Sequence, residues 1–353
     1  MKKNILLINQ GHTDNIGDIA INNTIKNFFE NLNYDVCSVP YWDEHEIFRK
    51  YNKIYKIIRK FDFIMDFFMR KYIRKKIKNK KIDAVIIGGG DLMSAHRGFN
   101  CALYNWTKYL FDKNIKIFIT GISTNNDITK KERKRYEKAL KKCDFVSVRD
   151  EFSLNLIKNN YDIDCNYYPD VVFAYNKIMN INYKHGKKNN KDNIVMIAPI
   201  KFNEGLKYYL NTKDEKEYFN YLYNKAINII SKDDIILITS TVKNDENTSM
   251  NFYNYLSERI NNKVIFEKYI DFENYIHILE KTNLIISARM HAMILGLIYG
   301  CDKIVAIEHN KKMQIFSREY CKNKSIDINN VENMAYSGLE KIYKKIEIEK
   351  EKL

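Results

Sequence analysis

Short apolar runs alternate with longer segments of helical periodicity along most of the chain, and this alternation restricts the fold more than any other feature. Runs of strand character occur at residues 5–8, 34–39, 84–87, 115–120, 145–148 and about 166–168. Between them lie segments of helical period at 18–32, 44–80, 99–113, 129–142 and 151–159. Parallel strands need crossovers and helices supply them, so βαβ units and a parallel sheet are expected. The rhythm breaks from Asn176 to Asn193, a polar run containing Lys184, His185, Gly186, Lys187 and Lys188 that reads as an interdomain linker. It then restarts, with strands at 194–198, 235–239, 264–266, 284–287 and 304–307. Helices are expected at 214–231, 247–259, 271–280, 290–299 and 311–319. The chain is therefore expected to be α/β, with two Rossmann-like doubly wound lobes at 1–180 and 194–325, a linker at 181–193, and a C-terminal helix within 326–353 that packs back on the first lobe. Ligands of such sheets sit outside the carboxyl ends of the strands, so chemistry is expected in strand-end loops facing an interlobe cleft.

Composition narrows the class. The 353 residues are 45% hydrophobic and 29% charged, which suits a globular protein with a sizeable core. No run of eighteen apolar residues exists and the start of the chain lacks a signal-peptide pattern, so a cytoplasmic location is expected. Six cysteines are scattered without a C-x-x-C pair, which fits free thiols rather than a metal site. The formal charge of +15 is concentrated: residues 49–81 hold fourteen Lys or Arg and two acids, a net of +12. Phe61, Phe63, Ile64, Phe67, Phe68 and Tyr72 interleave with those cations. A basic, aromatic helix of this kind suits peripheral contact with an anionic membrane surface, or else is a core helix carrying solvated lysines. Nucleic acid is not expected as a partner, because no helix-turn-helix, RNA-recognition or zinc pattern accompanies the charge.

Strand-end loops could carry chemistry, one of them Gly121-Ile122-Ser123 after the strand that ends at Thr120. In Asn9–Asp18, Gly17 allows close backbone approach at a helix start and Asp18 stands in the first turn, either as a reactive carboxylate or as a complement to the helix dipole. Gly88-Gly89-Gly90, followed by Asp91, calls for a tight turn or a ligand lying against the backbone. His96 and Arg97 follow closely, facing the cleft or lying in a solvated loop. Arg149 ends a strand and points into the cleft or pairs with its acidic neighbours. Asp170 either holds a cleft arginine or caps the following turn. The most informative loop is Ser287-Ala288-Arg289-Met290-His291, set between a buried strand and a very apolar helix. Placing Arg289 and His291 there is costly unless they meet an anion or a partner. Dipole, guanidinium and imidazole then converge on a phosphate or carboxylate, although a satisfied core histidine is the competing reading of His291. Lys312, at the start of the next helix, faces the same cleft or solvent.

Taken in order, Asn15-Ile16-Gly17-Asp18, Gly88-Gly89-Gly90, Ser147-Val148-Arg149-Asp150, Pro169-Asp170, Ser287-Ala288-Arg289-Met290-His291 and Lys312 resemble the polysaccharide pyruvyl transferase family. The resemblance spans roughly residues 4 to 320. It implies a GT-B-like fold and transfer of pyruvyl from phosphoenolpyruvate to two hydroxyls of a sugar, giving a ketal and free phosphate. The implied acceptor is a cell-surface glycan or its lipid-linked precursor, and no cofactor beyond the donor is implied. It further implies that Arg149, Arg289 and His291 contact phosphoenolpyruvate. Asp91 and the pair Cys301-Asp302 depart from the usual family pattern. On chemical grounds His291 is a candidate general acid, Asp18 a candidate base, and Arg149, Arg289, Lys312, Gly17, Gly88, Gly89, Gly90 and Ser287 candidate substrate-binding residues. A GT-B glycosyltransferase using a nucleotide sugar and an inactive GT-B-like binding protein remain the alternatives.

Overall fold

The computed structural model describes residues 2–48, 58–181, 193–323 and 326–348. The linker expected at 181–193 falls almost wholly outside the described residues, as does part of the helical segment expected over 44–80. The chain divides into two compact units. One comprises Met1–Thr13, Ile21–Asn180 and Asn330–Leu353; the other comprises Asp14–Ala20 and Ile181–Asn329. The division is thus not a single cut in the sequence: a short N-terminal piece belongs with the later unit, and the C-terminal helix belongs with the earlier one.

The first unit is built on a six-stranded parallel sheet in the order β2-β1-β3-β4-β5-β6. Its strands are β1 (Asn4–Asn9), β2 (Asp35–Pro40), β3 (Ala84–Met93), β4 (Lys116–Thr124), β5 (Phe145–Val148) and β6 (Asn166–Tyr167). Its helices are α1 (Ile16–Asn31), whose first turn is counted with the other unit, α2 (Glu44–Ile47), α3 (Asp62–Lys76), α4 (Arg97–Phe111), α5 (Lys130–Leu140), α6 (Glu151–Asn160) and α7 (Tyr175–Ile178). Strands β1, β3 and β4 are apolar on both faces, as a sheet covered by helices on each side requires. Local signals agree with the helix starts: Thr129 and Glu132 form a reciprocal capping box for α5, and Asp150 accepts from the Ser153 amide at the head of α6.

Glycine lets α1 approach this sheet. A Cβ on Gly88 would lie 2.4 Å from Ile25 Cδ1, and one on Gly89 would lie 2.3 Å from Ile21 Cγ2. Gly89 and Gly90 also have φ of 73° and 88°, which side chains adopt with strain. The glycine triplet was expected to form a tight turn or to lie against a ligand. In the structure Ile21 and Ile25 of α1 occupy the space above Gly88 and Gly89, so helix packing accounts for these two residues.

The second unit is a five-stranded parallel sheet in the order β11-β10-β7-β8-β9. The strands are β7 (Ile194–Ala198), β8 (Ile235–Ile238), β9 (Val264–Phe266), β10 (Thr282–Ser287) and β11 (Lys303–Ala306). Its helices are α8 (Glu204–Leu210), α9 (Glu215–Ile227), α10 (Glu246–Ser257), α11 (Phe272–Leu279), α12 (Met290–Ile298) and α13 (Lys311–Phe316). Strand β7 is continued by β8 on one side and bordered by β10 on the other, so the winding reverses between β7 and β10. The crevice at such a reversal is where open α/β sheets take ligands. The final helix α14 (Ile328–Glu347) buries Val331, Ala335, Leu339 and Ile342. It is tied to the first unit by Lys3 to Glu347 at 2.9 Å, by Tyr34 to Glu347, and by Gly338 fitting under Tyr168.

Candidate functional site

In the second unit, loops following four strands converge on one ion pair. Asp245, after β8, is 1% exposed. Its Oδ2 accepts from Arg289 Nε at 2.8 Å and Nη2 at 2.6 Å, while its Oδ1 accepts from the Lys201 amide, after β7, at 2.9 Å. Arg289 follows β10 directly and its side chain remains 37% exposed. One edge of the guanidinium is thus fixed by a buried carboxylate while the group keeps access to solvent. This is how a cation is held ready for an anionic ligand: the counter-charge sets its orientation without enclosing it. The fourth loop, after β11, brings His309. Burial foremost holds its imidazole below the ordinary histidine range, and the charges of Arg289 and Lys312 act in the same direction.

Ser287 has a different role from the one expected. It is fully buried, its Oγ accepts from the Arg289 amide at 3.0 Å, and it also lies 3.4 Å from the Ala198 carbonyl. It therefore sets the turn that presents Arg289 rather than facing a substrate. Arg289 occupies the N-cap of α12 with extended backbone and no side-chain cap. His291 follows in the first turn of that helix.

The segment Asp14–Ala20 completes this region. It joins the loop after β8 through an Asn15–Val242 bridge, with the Ile16 amide donating to the Thr241 carbonyl at 3.0 Å and the Lys243 amide to the Asp14 carbonyl at 3.3 Å. Gly17 lies directly under the imidazole: a Cβ there would stand 2.3 Å from His291 Nδ1. Asn15 Oδ1 accepts from the Gly17 amide at 3.0 Å, and Asn15 Nδ2 donates to Asp18 Oδ2 at 2.9 Å. Gly17, Asp18, Arg289 and His291 are thereby gathered in one unit, although more than two hundred and sixty residues separate Asp18 from Arg289 in sequence. Sequence reasoning missed Asp245 and gave Asn15 only as part of the Asn15-Ile16-Gly17-Asp18 motif. It also missed Thr239, Ser240 and Thr241, three consecutive buried hydroxyls without a hydrogen-bond partner among the described residues. Their one sequence signal is an unbroken hydroxyl run immediately after a strand.

The first unit carries a separate cluster at the carboxyl ends of β3, β4 and β5. Arg149 Nη1 donates to Asp170 Oδ2 at 2.7 Å, and Nη2 donates to Ser123 Oγ at 3.0 Å and to Asp91 Oδ1 at 3.2 Å. Ser123 also donates to Asp91. Burial alone would weaken ionisation of Arg149, but the Asp170 and Asp91 carboxylates outweigh it and keep the guanidinium charged. The Arg149 side chain is 2% exposed and Asp170 5%, whereas Asp91 is 58% exposed. The group this cluster presents outward is therefore the Asp91 carboxylate. Asp170 serves both roles considered for it, since its Oδ1 accepts from the Val172 amide at 3.1 Å. His96 caps α4 by accepting from the Phe99 amide, and Arg97 pairs with Asp62 and donates to the Lys60 carbonyl. Both serve the fold.

A family model described as polysaccharide pyruvyl transferase matches residues 15–302, well over half the chain. The chain belongs to that family. The match begins at Asn15, in the turn beneath His291, and extends past Arg289 and His291. No curated protein matches the sequence. Among solved structures, the chain is similar to the UDP-GlcNAc 2-epimerase of Methanocaldococcus jannaschii, with a TM-score of 0.56, 12% identity and coverage of 97% and 99% of the two chains. It is also similar to the UDP-GlcNAc 2-epimerase of Neisseria meningitidis, with a TM-score of 0.50, 13% identity and coverage of 99% and 100%. At such identities the likeness concerns the fold, and with the two parallel sheets it gives this pyruvyl transferase family member a two-lobed, Rossmann-like GT-B architecture. Among the described residues, no helix is long and apolar enough to cross a membrane.

Proposed function

We propose that this protein transfers pyruvyl from phosphoenolpyruvate to two hydroxyls of a sugar in a cell-surface glycan or its lipid-linked precursor. The observation that carries the reading is the seating of His291 on Gly17, two residues from an Arg289 held by Asp245, in a chain of the pyruvyl transferase family. Phosphoenolpyruvate carries a carboxylate and a phosphate on one small carbon frame. Arg289 and Lys312 supply the positive charge such a ligand needs, and the head of α12 adds its dipole.

The chemistry is a proton transfer followed by two additions. His291 gives a proton to the methylene carbon, which becomes the methyl group. The carbon bearing phosphate becomes cationic, and a sugar hydroxyl oxygen bonds to it. Phosphate then leaves with its bridging oxygen, and the second hydroxyl closes the ketal. One hydroxyl proton restores His291 and the other leaves with phosphate, so the balance closes. Asp18, held by Asn15, takes one of these hydroxyl protons as the acceptor oxygen bonds and passes it to the departing phosphate. Arg149 is assigned a positioning role, because its Nη1 and Nη2 groups reach Asp170, Ser123 and Asp91, while its buried Nε has no partner among the described residues. The exposed Asp91 carboxylate is suited to accept hydrogen bonds from sugar hydroxyls.

Incubation with phosphoenolpyruvate and cell-envelope glycan precursors, followed by phosphate release and product mass, tests this directly. His291→Ala and Arg289→Ala are each expected to lower turnover by about 10²-fold or more. Undiminished turnover in both would remove the site assignment. Thermal stabilisation by a nucleotide sugar and none by phosphoenolpyruvate would favour a glycosyltransferase instead.

A further inference from the structure

Helix α3 turns one face to the core and leaves the other without an apolar cover among the described residues. Met65, Met69, Tyr72 and Ile73 are buried, which accounts for half of its apolar content. Of the remaining aromatics Phe68 packs against the core, while Phe63 is 70% exposed, Phe67 59%, and Phe61 at the N-cap 46%. Scattered exposed apolar residues are ordinary, but these stand together, with the Phe61 and Phe63 rings 6.1 Å apart. Phe63, Phe67, Arg70 and Arg74 follow one another at spacings of four, three and four residues, and so form a single stripe along the helix.

The charge on this face is of one sign. The two carboxylates of α3 are drawn away from it: Asp62 pairs with Arg97 and Lys131, and Asp66 pairs with Arg135 at 2.6 Å and accepts from Asn105. Lys75 and Lys76 are accounted for by Glu46, at 2.8 and 2.6 Å. Arg70, Lys71 and Arg74 have no acidic partner among the described residues. With Phe67 they line an open groove of about 530 Å³. Helix α3 contains no Ser, Thr, Asn or Gln, so the exposed face offers apolar rings and cations and almost nothing else.

We propose that this face of α3 docks the protein on an anionic lipid surface, with Phe63 and Phe67 entering the headgroup region and Arg70, Lys71 and Arg74 meeting lipid phosphates. Aromatic rings partition to the boundary between headgroups and acyl chains, and adjacent cations are drawn to an anionic leaflet. Neither attraction alone holds a protein firmly; together they act over the same short helix. The net charge of +12 across residues 49–81 reinforces the approach from a distance of about one Debye length, ~8 Å at physiological salt. This proposal does not depend on the donor substrate.

The test is co-sedimentation of the full chain with vesicles of phosphatidylcholine alone or mixed with phosphatidylglycerol. Binding is expected only with the anionic lipid and is expected to weaken as salt rises. Arg70→Gln with Arg74→Gln should lower the partition coefficient about 30-fold, at roughly fivefold per cation removed. Phe63→Ser with Phe67→Ser should lower it on the order of tenfold. A control, Lys213→Gln with Lys216→Gln on α9 and the turn before it, changes the charge equally and should bind as the parent does. Each variant is checked for an unchanged melting temperature before it is scored. Equal binding to neutral vesicles, no binding to anionic ones, or full binding by both α3 variants would overturn the proposal; retention by an acidic protein with no vesicle binding would do the same.

Discussion

Asp170 and Asp91 accept from the same guanidinium, yet their surroundings assign them opposite roles. Asp170 is sealed in with Arg149, so Asp170→Ala leaves a buried cation without its nearest counter-charge. A loss of about 3–5 kcal/mol is expected in denaturant unfolding of the first unit. Asp91 is more than half exposed, and water can replace its contribution. Asp91→Ala is therefore expected to cost less than about 1 kcal/mol of stability, while lowering affinity for the acceptor if its role is to bind hydroxyls. An Asp91→Ala variant as unstable as Asp170→Ala would show that both carboxylates are structural. Part of this was readable beforehand. Arg289 and His291 announce themselves because a cation and an imidazole open an apolar helix. Asp170 followed from its place after a strand. Asp245 did not, because its partner lies forty-four residues away and nothing local marks which carboxylate will be buried. The Gly88 to Gly90 run was conspicuous but admitted a second meaning: a missing side chain makes room for a neighbouring helix as readily as for a ligand.

At the level of elements, the alternation of strand and helix gave the right sheet-forming segments, because burial on both faces produces continuous apolar runs. It could not show that α1 divides between the two units, since helical period continues unchanged through Ala20 and Ile21. It also read one helical segment over 44–80, where the described residues contain α2 and α3 as separate helices. The start of α1 meets the start of α12 at Gly17 and His291, so the two helices approach as closely as a hydrogen atom at Cα permits. Gly17→Ala places a methyl carbon 2.8 Å from His291 Cβ as well as 2.3 Å from Nδ1. The imidazole must then shift, and displacement of a reacting group by about 1 Å costs about 10²-fold in rate. Turnover should fall by that order, while overpacking lowers stability by about 1–3 kcal/mol. Unchanged kinetics in a folded Gly17→Ala protein would mean that the ring position does not matter.

For the molecule as a whole, acid is the condition under which several groups act together. His12, His96 and His309 are held below the ordinary histidine pKa of 6.5, in each case first by burial. A lowered folded-state value means that the unfolded chain takes up protons first, so stability is full above about pH 6.5 and is lost as pH falls through the folded values. Glu46, Asp62, Asp66 and Glu308 are lowered too: burial alone would raise them, but their lysine and arginine partners outweigh it. They extend the same loss to lower pH. Denaturant midpoints measured across pH should therefore decline from about pH 6.5 downward, and His309→Phe should flatten the first part of that decline. A midpoint that rose on acidification would contradict the lowered values of these imidazoles.

The division of the chain has a consequence for synthesis. Residues 14–20 emerge from the ribosome early, yet the unit they complete ends near Asn329. The first sheet is made before most of that unit, but α14, which belongs to the first unit and buries Val331, Leu339 and Ile342, is translated after both sheets. The first unit therefore cannot be complete until the second has been translated. At about 5–20 residues per second, the nascent chain holds a first unit without its C-terminal helix for roughly 10–35 seconds. Such a chain is a natural client for chaperones that shelter apolar surface until translation has passed the last helix.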